Sequence, residues 1–372
     1  MTPTSGAASA GRHLAAISIP RVDGPTWWAV EPQRLAEIHL DGTLLRHDLH
    51  ARALEGNALG DPATRPLIVH TPAGAPRALP LVLVLHGSGA DVGSWFVDDA
   101  ALDRSVHAVE RAVGAGARPA IVAYVDAWTS LGGSQYLDTH AIGAYQSYLV
   151  DDVIPFLVQR YRPAGGLAII GHSSGGYGAL RLALDRPGTV TRLAALAPDA
   201  LFEGVHLATH MPAVRRLHDA YHGSYGILWE HRSRRGPAAT SDGDRDAPAL
   251  DQYLLAAAYS WPHLLFDTTT GELDLEVWAA WLRHDPLRMI REPRHQKALS
   301  VLEQVHLVGG RRDHYYADAA VRALANALRE RSVPVTVHIP DADHADIAHL
   351  EQPYSMLLAR LLKHSSAKWR TS

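Results

Sequence analysis

The chain has 372 residues, 47% of them hydrophobic and 20% charged, a composition that builds a sizeable core and excludes a disordered tail or a collagen-like repeat. With 35 basic against 39 acidic residues the net charge is −4, so no sustained basic field exists to hold nucleic acid or an anionic membrane. Cys is absent, which excludes disulfides, thiolate metal sites and a thiol nucleophile.

Residues 1–30 read as a tail of low periodicity, which the pair Trp27 and Trp28 is expected to dock. Met1 to Ala16 has no long apolar core and does not read as a signal peptide, and no apolar run reaches transmembrane length. The expected location is therefore cytoplasmic. Residues 31–372 are expected to form one domain. In its first part, Asp41-Gly42 predicts a hairpin turn between Ile38-His39-Leu40 and Leu44-Leu45, an antiparallel start to a sheet.

The texture then changes. Leu81–Leu85, Ile121–Val125, Leu167–Ile170 and Leu193–Leu196 are short runs of apolar residues, as parallel strands covered on both faces require. Helical spacing lies between them, at Tyr145, Tyr148, Leu149, Phe156 and Leu157, and again at Leu180, Ala183 and Leu184. Later, Val305–Val308 and Val335–Ile339 predict strands. Ala317, Val321, Leu324 and Leu328 predict a helix between them, and Ile347–Leu362 a closing one. Alternating strands and helices predict an α/β fold with a mainly parallel central sheet flanked by helices. Residues 199–303 break the rhythm and carry no convincing strand. They read as a largely helical, cap-like insertion, with helix at Leu275–Leu282 and a mobile loop at Arg232–Pro248.

The sharpest chemical signal is Gly171-His172-Ser173-Ser174-Gly175, directly after one predicted strand and opening a helix. A Gly-x-Ser-x-Gly sequence in that context is a nucleophile elbow, and Ser173 holds the central position. Ser174 is a weaker rival, and His172 reads as a packing residue. His86-Gly87-Ser88-Gly89 follows the strand Leu81–Leu85, where an α/β-hydrolase places a backbone donor for an oxyanion. Ser88 and Ser174 N–H are the candidate pair. A dinucleotide fingerprint fails there because position 92 is Val.

A nucleophilic serine needs a base and an acid that orients it, in the chain order Ser, acid, His. Asp313 follows the strand Val305–Val308 and His344 the strand Val335–Ile339. They are the candidates, with His349 in reserve. A metal reading of Asp341, Asp343, His344 and His349 lacks the helical His pair of a zinc site, so no metal and no cofactor is expected. Trp95, Trp128 and Tyr136 follow strand ends and are candidates to line a pocket.

With these motifs in place the sequence resembles the putative-esterase family of α/β-hydrolases, which includes S-formylglutathione hydrolases, feruloyl esterases, enterochelin esterases and mycolyltransferases. The likeness rests on Leu83-Val84-Leu85-His86-Gly87, Gly133-Ser134-Gln135-Tyr136-Leu137-Asp138, Tyr145 through Pro155-Phe156 to Tyr161-Arg162, and Gly171 to Ala179. The Gly310–Asp313 turn and the Asp343-His344 loop complete it. The resemblance implies a serine ester hydrolase with Ser173, Asp313 and His344 as triad and a small-molecule ester as substrate. Acyl transfer, thioester hydrolysis and a non-catalytic scaffold are the alternatives.

Overall fold

Five consecutive apolar residues, Leu81–Leu85, are buried on both faces, and that burial sets the layer order of the molecule. Leu81, Leu83 and Leu85 point into one hydrophobic cluster, and Val82 and Val84 into a second on the opposite face. A strand with period-2 side chains can be apolar throughout only when both faces are covered.

The computed structural model describes residues 32–74, 79–235 and 245–359. Its strands are β1 (Thr43–His50), β2 (Thr64–Thr71), β3 (Leu81–Leu85), β4 (Ile121–Val125), β5 (Asp138–Thr139), β6 (Gly143–Ala144), β7 (Leu167–His172), β8 (Arg192–Leu196), β9 (Gln304–Val308) and β10 (Val335–His338). Strands β5 and β6 make a two-stranded ladder of their own. The other eight form one sheet in the order β1-β2-β4-β3-β7-β8-β9-β10. It is antiparallel at β1–β2 and β2–β4 and parallel from β4 onward.

Helices Val106–Gly114 and Glu351–Leu357 pack on one face. Ile154–Tyr161, Ser174–Asp185 and Ala317–Glu330 pack on the other. Strand β3 has β4 on one side and β7 on the other, so the chain winds outward from it in both directions. A crevice opens at such a reversal, beyond the carboxyl ends of the strands, and ligands of open α/β sheets bind there. The loops that leave β3 and β7 are His86–Gly89 and the Ser173 turn. Between β8 and β9 the described residues form helices, the longest being Leu207–Tyr221 and Ala247–Tyr259. Helix Leu275–Leu282 lies where the apolar spacing predicts it. No described helix is long and apolar enough to cross a membrane.

Several boundaries depart from the sequence reading. Asp41-Gly42 makes no hairpin: Pro32–Glu37 is a helix, and β1 pairs instead with β2 across a longer connection. The alternation that suggested strand before Asp41 was too short to distinguish the two. The closing helix starts at Glu351, after a short 3-10 turn at Asp346–Ala348, and position 362 lies outside the described residues. The Arg232–Pro248 segment is partly helical, since one helix runs to Arg235 and the next starts at Ala247. Residues 236–244, like Trp27 and Trp28, lie outside the described residues. The stripe from Tyr145 is helical with one π-helical stretch, Tyr148–Val153, and the buried Asp152 carboxylate there accepts the Ala53 N–H at 3.0 Å.

Candidate active site

Ser173 sits between β7 and helix Ser174–Asp185 with φ 56° and ψ −122°, a conformation costly for any residue with a side chain. Two hydrogen bonds hold it there. Its N–H donates to the Leu196 carbonyl at 2.8 Å, and its carbonyl accepts from Tyr177 N–H at 3.0 Å. The flanking glycines are a steric requirement. A Cβ on Gly171 would lie 2.0 Å from the Gly175 oxygen, and one on Gly175 2.4 Å from the Leu85 oxygen. The sharp turn thus lifts the serine hydroxyl above the sheet edge.

Two loops bring partners to it. Asp313, buried, lies on the loop after β9, and His344 on the loop after β10. His344 Nε2 is 3.1 Å from Ser173 Oγ, and His344 Nδ1 is 2.7 Å from Asp313 Oδ2. The carboxylate fixes the tautomer: Nδ1–H donates to Asp313, which leaves Nε2 to accept from the hydroxyl. The other oxygen of Asp313 accepts the Tyr315 N–H at 2.8 Å, so the acid is held rigidly. Hydroxyl, imidazole and carboxylate in series can move a proton off an attacking oxygen and return it to a leaving group. His349 lies five residues past this histidine, just before the closing helix, and has no part in the series.

His172 Nε2–H donates to the His344 carbonyl at 2.9 Å, and the two rings lie 4.9 Å apart. Burial, together with the charge His344 can carry, pushes the His172 pKa down to about 3. It therefore stays neutral beside His344.

The β3 loop approaches from the other side. Gly87 backbone lies so near that a Cβ there would come within 3.0 Å of Ser173 Cβ. Fully buried His86 braces this loop. Its Nε2 accepts the Ala127 N–H at 2.9 Å, so the proton is on Nδ1, which donates to the Gly87 carbonyl at 2.9 Å. Gly89 N–H bonds Gly132 O at 2.6 Å. Below it, the buried Arg65 guanidinium contacts Asp126 Oδ2 at 3.2 Å, and Asp126 Oδ1 accepts Val92 N–H at 3.2 Å. Ser88 and Ser173 face one cavity of about 90 Å³.

The putative-esterase family profile matches residues 65–346, a stretch that holds the whole site. The chain belongs to the putative-esterase family. This esterase is thus a serine carboxylic-ester hydrolase of the α/β-hydrolase fold. Among solved structures it is similar to a ferulic acid esterase (14% identity, 86% of this chain and 99% of that one, TM-score 0.54). It is likewise similar to an S-formylglutathione hydrolase from Agrobacterium tumefaciens (15%, 87% and 98%, TM-score 0.54). Mycobacterium tuberculosis MPT51 aligns at 13% identity over 84% of this chain and 99% of its own, TM-score 0.50. At such identities the likeness is one of fold. No curated protein sequence matches the chain.

The aromatic residues expected at the pocket of this esterase lie elsewhere. Trp95 is buried in the second core cluster, its ring 6.3 Å from Tyr124. Trp128 offers its carbonyl to Arg65, at 2.8 Å. Tyr136 is buried under the elbow helix, where its hydroxyl donates to the His86 carbonyl at 2.8 Å. Each follows a strand end, as the sequence suggested, but the rings of Trp95 and Tyr136 turn into the core, where large apolar area gains most, while half-buried Trp128 is not among the residues that line the cavity.

Other residues line the cavity instead. Gln135 and Asp199 come from loops at the sheet edge, and Tyr315 from beside the acid. Val205, His206, Thr209, Asp251, Leu254 and Leu255 come from the helices between β8 and β9. Gln135, at φ 51°, directs its amide Nε2 to Asp199 Oδ2 at 3.2 Å. Burial raises the Asp199 pKa to about 6 against the help of Gln135 and His344, with Asp313 adding to the rise. Sequence reasoning missed Asp199. The signal was available, because it follows a strand's carboxyl end as Asp313 does.

Proposed function

We propose that this esterase works through Ser173, His344 and Asp313 and an acyl-enzyme intermediate. One observation carries the reading: the continuous relay of 3.1 Å from Ser173 Oγ to His344 Nε2 and 2.7 Å from His344 Nδ1 to Asp313 Oδ2. Ser173 Oγ attacks the ester carbonyl as its proton passes to His344 Nε2. Asp313 stabilises the imidazolium without taking the proton itself. The N–H groups of Ser88 and Ser174 receive the oxyanion, each donor worth about 3 kcal/mol in comparable sites. The tetrahedral adduct collapses as the imidazolium protonates the alcohol oxygen. Water then attacks the acyl-enzyme by the same proton route and releases the acid.

The cavity suits a short acyl group, since a drug-sized ligand needs about 300 Å³ or more. A fluorophosphonate probe is expected to label the intact protein at Ser173, and Ser173→Ala to abolish both labelling and p-nitrophenyl acetate turnover. Labelling or turnover that survives the substitution overturns the reading.

A further inference from the structure

The cavity in front of Ser173 holds acidic groups and no permanent cation. Asp199 and Asp251 line it, and none of the described lining residues is Lys or Arg. Burial holds His206 neutral, with its pKa down to about 3, and His344 is the base whose Nε2 faces the hydroxyl. Asp199 is nine-tenths buried, and Gln135 Nε2 is the one hydrogen-bond donor it receives among the described residues.

A second observation points the same way. Gln135 is 1% exposed and lines the cavity, and its Oε1 has no partner among the described residues. Its amide orientation is set by the bond from Nε2 to Asp199, so the unsatisfied atom is an acceptor. A buried carboxylate with a single donor and a buried amide oxygen with none thus stand together beside Ser173. Leaving such groups unmet costs stability, and a ligand that meets them recovers it. A neutral ester brings no such donor, and its oxyanion would form near the Asp199 carboxylate.

We propose that the site selects esters carrying an ammonium group within a few bonds of the scissile carbonyl, with Asp199 as counter-ion and Gln135 Oε1 as second acceptor. The inference rests on the ester-hydrolase reading of Ser173. A site built around buried acceptors discriminates strongly against analogues that lack the donor, because those acceptors are then left bare.

Isosteric pairs test this. Glycine ethyl ester and ethyl propionate differ by an ammonium for a methyl on the acyl side. Protonated 2-(dimethylamino)ethyl acetate, which keeps one N–H, and 3-methylbutyl acetate differ by charge on the alcohol side. Each kcat/KM ratio, measured at pH 7 and divided by the ratio of hydroxide-catalysed rates, is expected to exceed tenfold in favour of the cation for one pair. That pair identifies the side on which the charge is read. Asp199→Asn is expected to bring the ratio to within about twofold of unity by raising the neutral rate and lowering the cationic one. Ser173→Ala protein, which needs no turnover, is expected to bind glycinamide, or protonated 2-(dimethylamino)ethanol if the alcohol side is read, and neither neutral isostere. Adding Asp199→Asn is expected to abolish that binding. Ratios near unity in the wild type, or unchanged in Asp199→Asn, overturn the inference while Ser173-dependent turnover leaves the esterase reading standing. Cation binding without turnover of any ester sinks the esterase reading instead. Absence of both removes both.

Discussion

At the scale of single residues, the site depends on which groups stay uncharged. His172 touches the proposed base through a hydrogen bond to the His344 backbone, and a positive charge there would oppose a charge on the His344 ring. Burial removes that conflict by keeping His172 neutral. Its contribution is one neutral hydrogen bond, about 1 kcal/mol, so His172→Ala is expected to lower kcat about fivefold with little change in KM. Fluorophosphonate labelling is expected to persist in that variant, whereas loss of labelling would make His172 part of the proton relay. Asp199 shows the opposite cost. Its folded-state pKa, about 6, lies above the 3.8 of an ordinary carboxyl. Its contribution to stability is therefore fully present below 3.8 and lost as pH rises through about 6. The penalty at neutral pH is at most about 3 kcal/mol. Asp199→Asn is expected to raise Tm at pH 8 and to leave it unchanged near pH 3.5. A Tm gain equal at both pH values would mean that the carboxylate charge is not what costs stability.

At the scale of elements, the elbow is a junction where backbone meets backbone. The methyl of Gly171→Ala would meet the Gly175 carbonyl, and that of Gly175→Ala the Leu85 carbonyl. Neither partner is a flexible side chain that could move aside. Each change is expected to cost at least about 3 kcal/mol or to prevent soluble expression. Gly114, at the end of helix Val106–Gly114, has nothing within 4 Å of a built Cβ, so Gly114→Ala is expected to stabilise by about 0.5–1 kcal/mol. Chemical denaturation of the soluble variants reads the contrast directly. Equal effects at Gly171 and Gly114 would show that close approach is not the reason for glycine in the elbow. Beneath the β3 loop, Arg65, Asp126 and Val92 link strand β2 to the end of β4 and to that loop. The His86–Gly89 loop is thus tied to the core as well as to its own strand.

At the scale of the molecule, the cavity is shared between two sources. The sheet edge supplies Ser88, Gln135, Ser173 and His344, and the helices between β8 and β9 close the other side. Leu254, on helix Ala247–Tyr259, lies against the Gly133 loop and faces the cavity. Its removal enlarges the acyl space where the wall is apolar. Leu254→Ala is expected to raise the kcat/KM ratio of p-nitrophenyl hexanoate to acetate at least fivefold, at a stability cost of about 2–5 kcal/mol. An unaltered ratio across the chain-length series would show that these helices take no part in selection. Selection by the inserted helices is thus proposed at the wall formed by Ala247–Tyr259, whereas the sequence reading had put its mobile part at Arg232–Pro248.

What the sequence determined by itself is local and periodic. Runs such as Leu81–Leu85 and Ile121–Val125 declare buried parallel strands because only a doubly covered strand is apolar on both faces. Gly171 to Gly175 declares the elbow because its sharp turn tolerates no Cβ at either end. Chain order then put Asp313 and His344 forward, one strand end apiece. Tertiary structure decided what depends on which surfaces meet. Trp95, Trp128 and Tyr136 stand after strand ends like the candidate site residues, yet the rings of Trp95 and Tyr136 turn inward and none of the three lines the cavity, and loop direction is not written in residue type. Asp199 stands in the same kind of position and turns toward Ser173. Its meaning came only from Gln135, 64 residues earlier, folding back against it in a left-handed conformation. A contact between distant loops leaves no period in the sequence, which is why the candidate triad was legible there and the residues that wall the cavity were not.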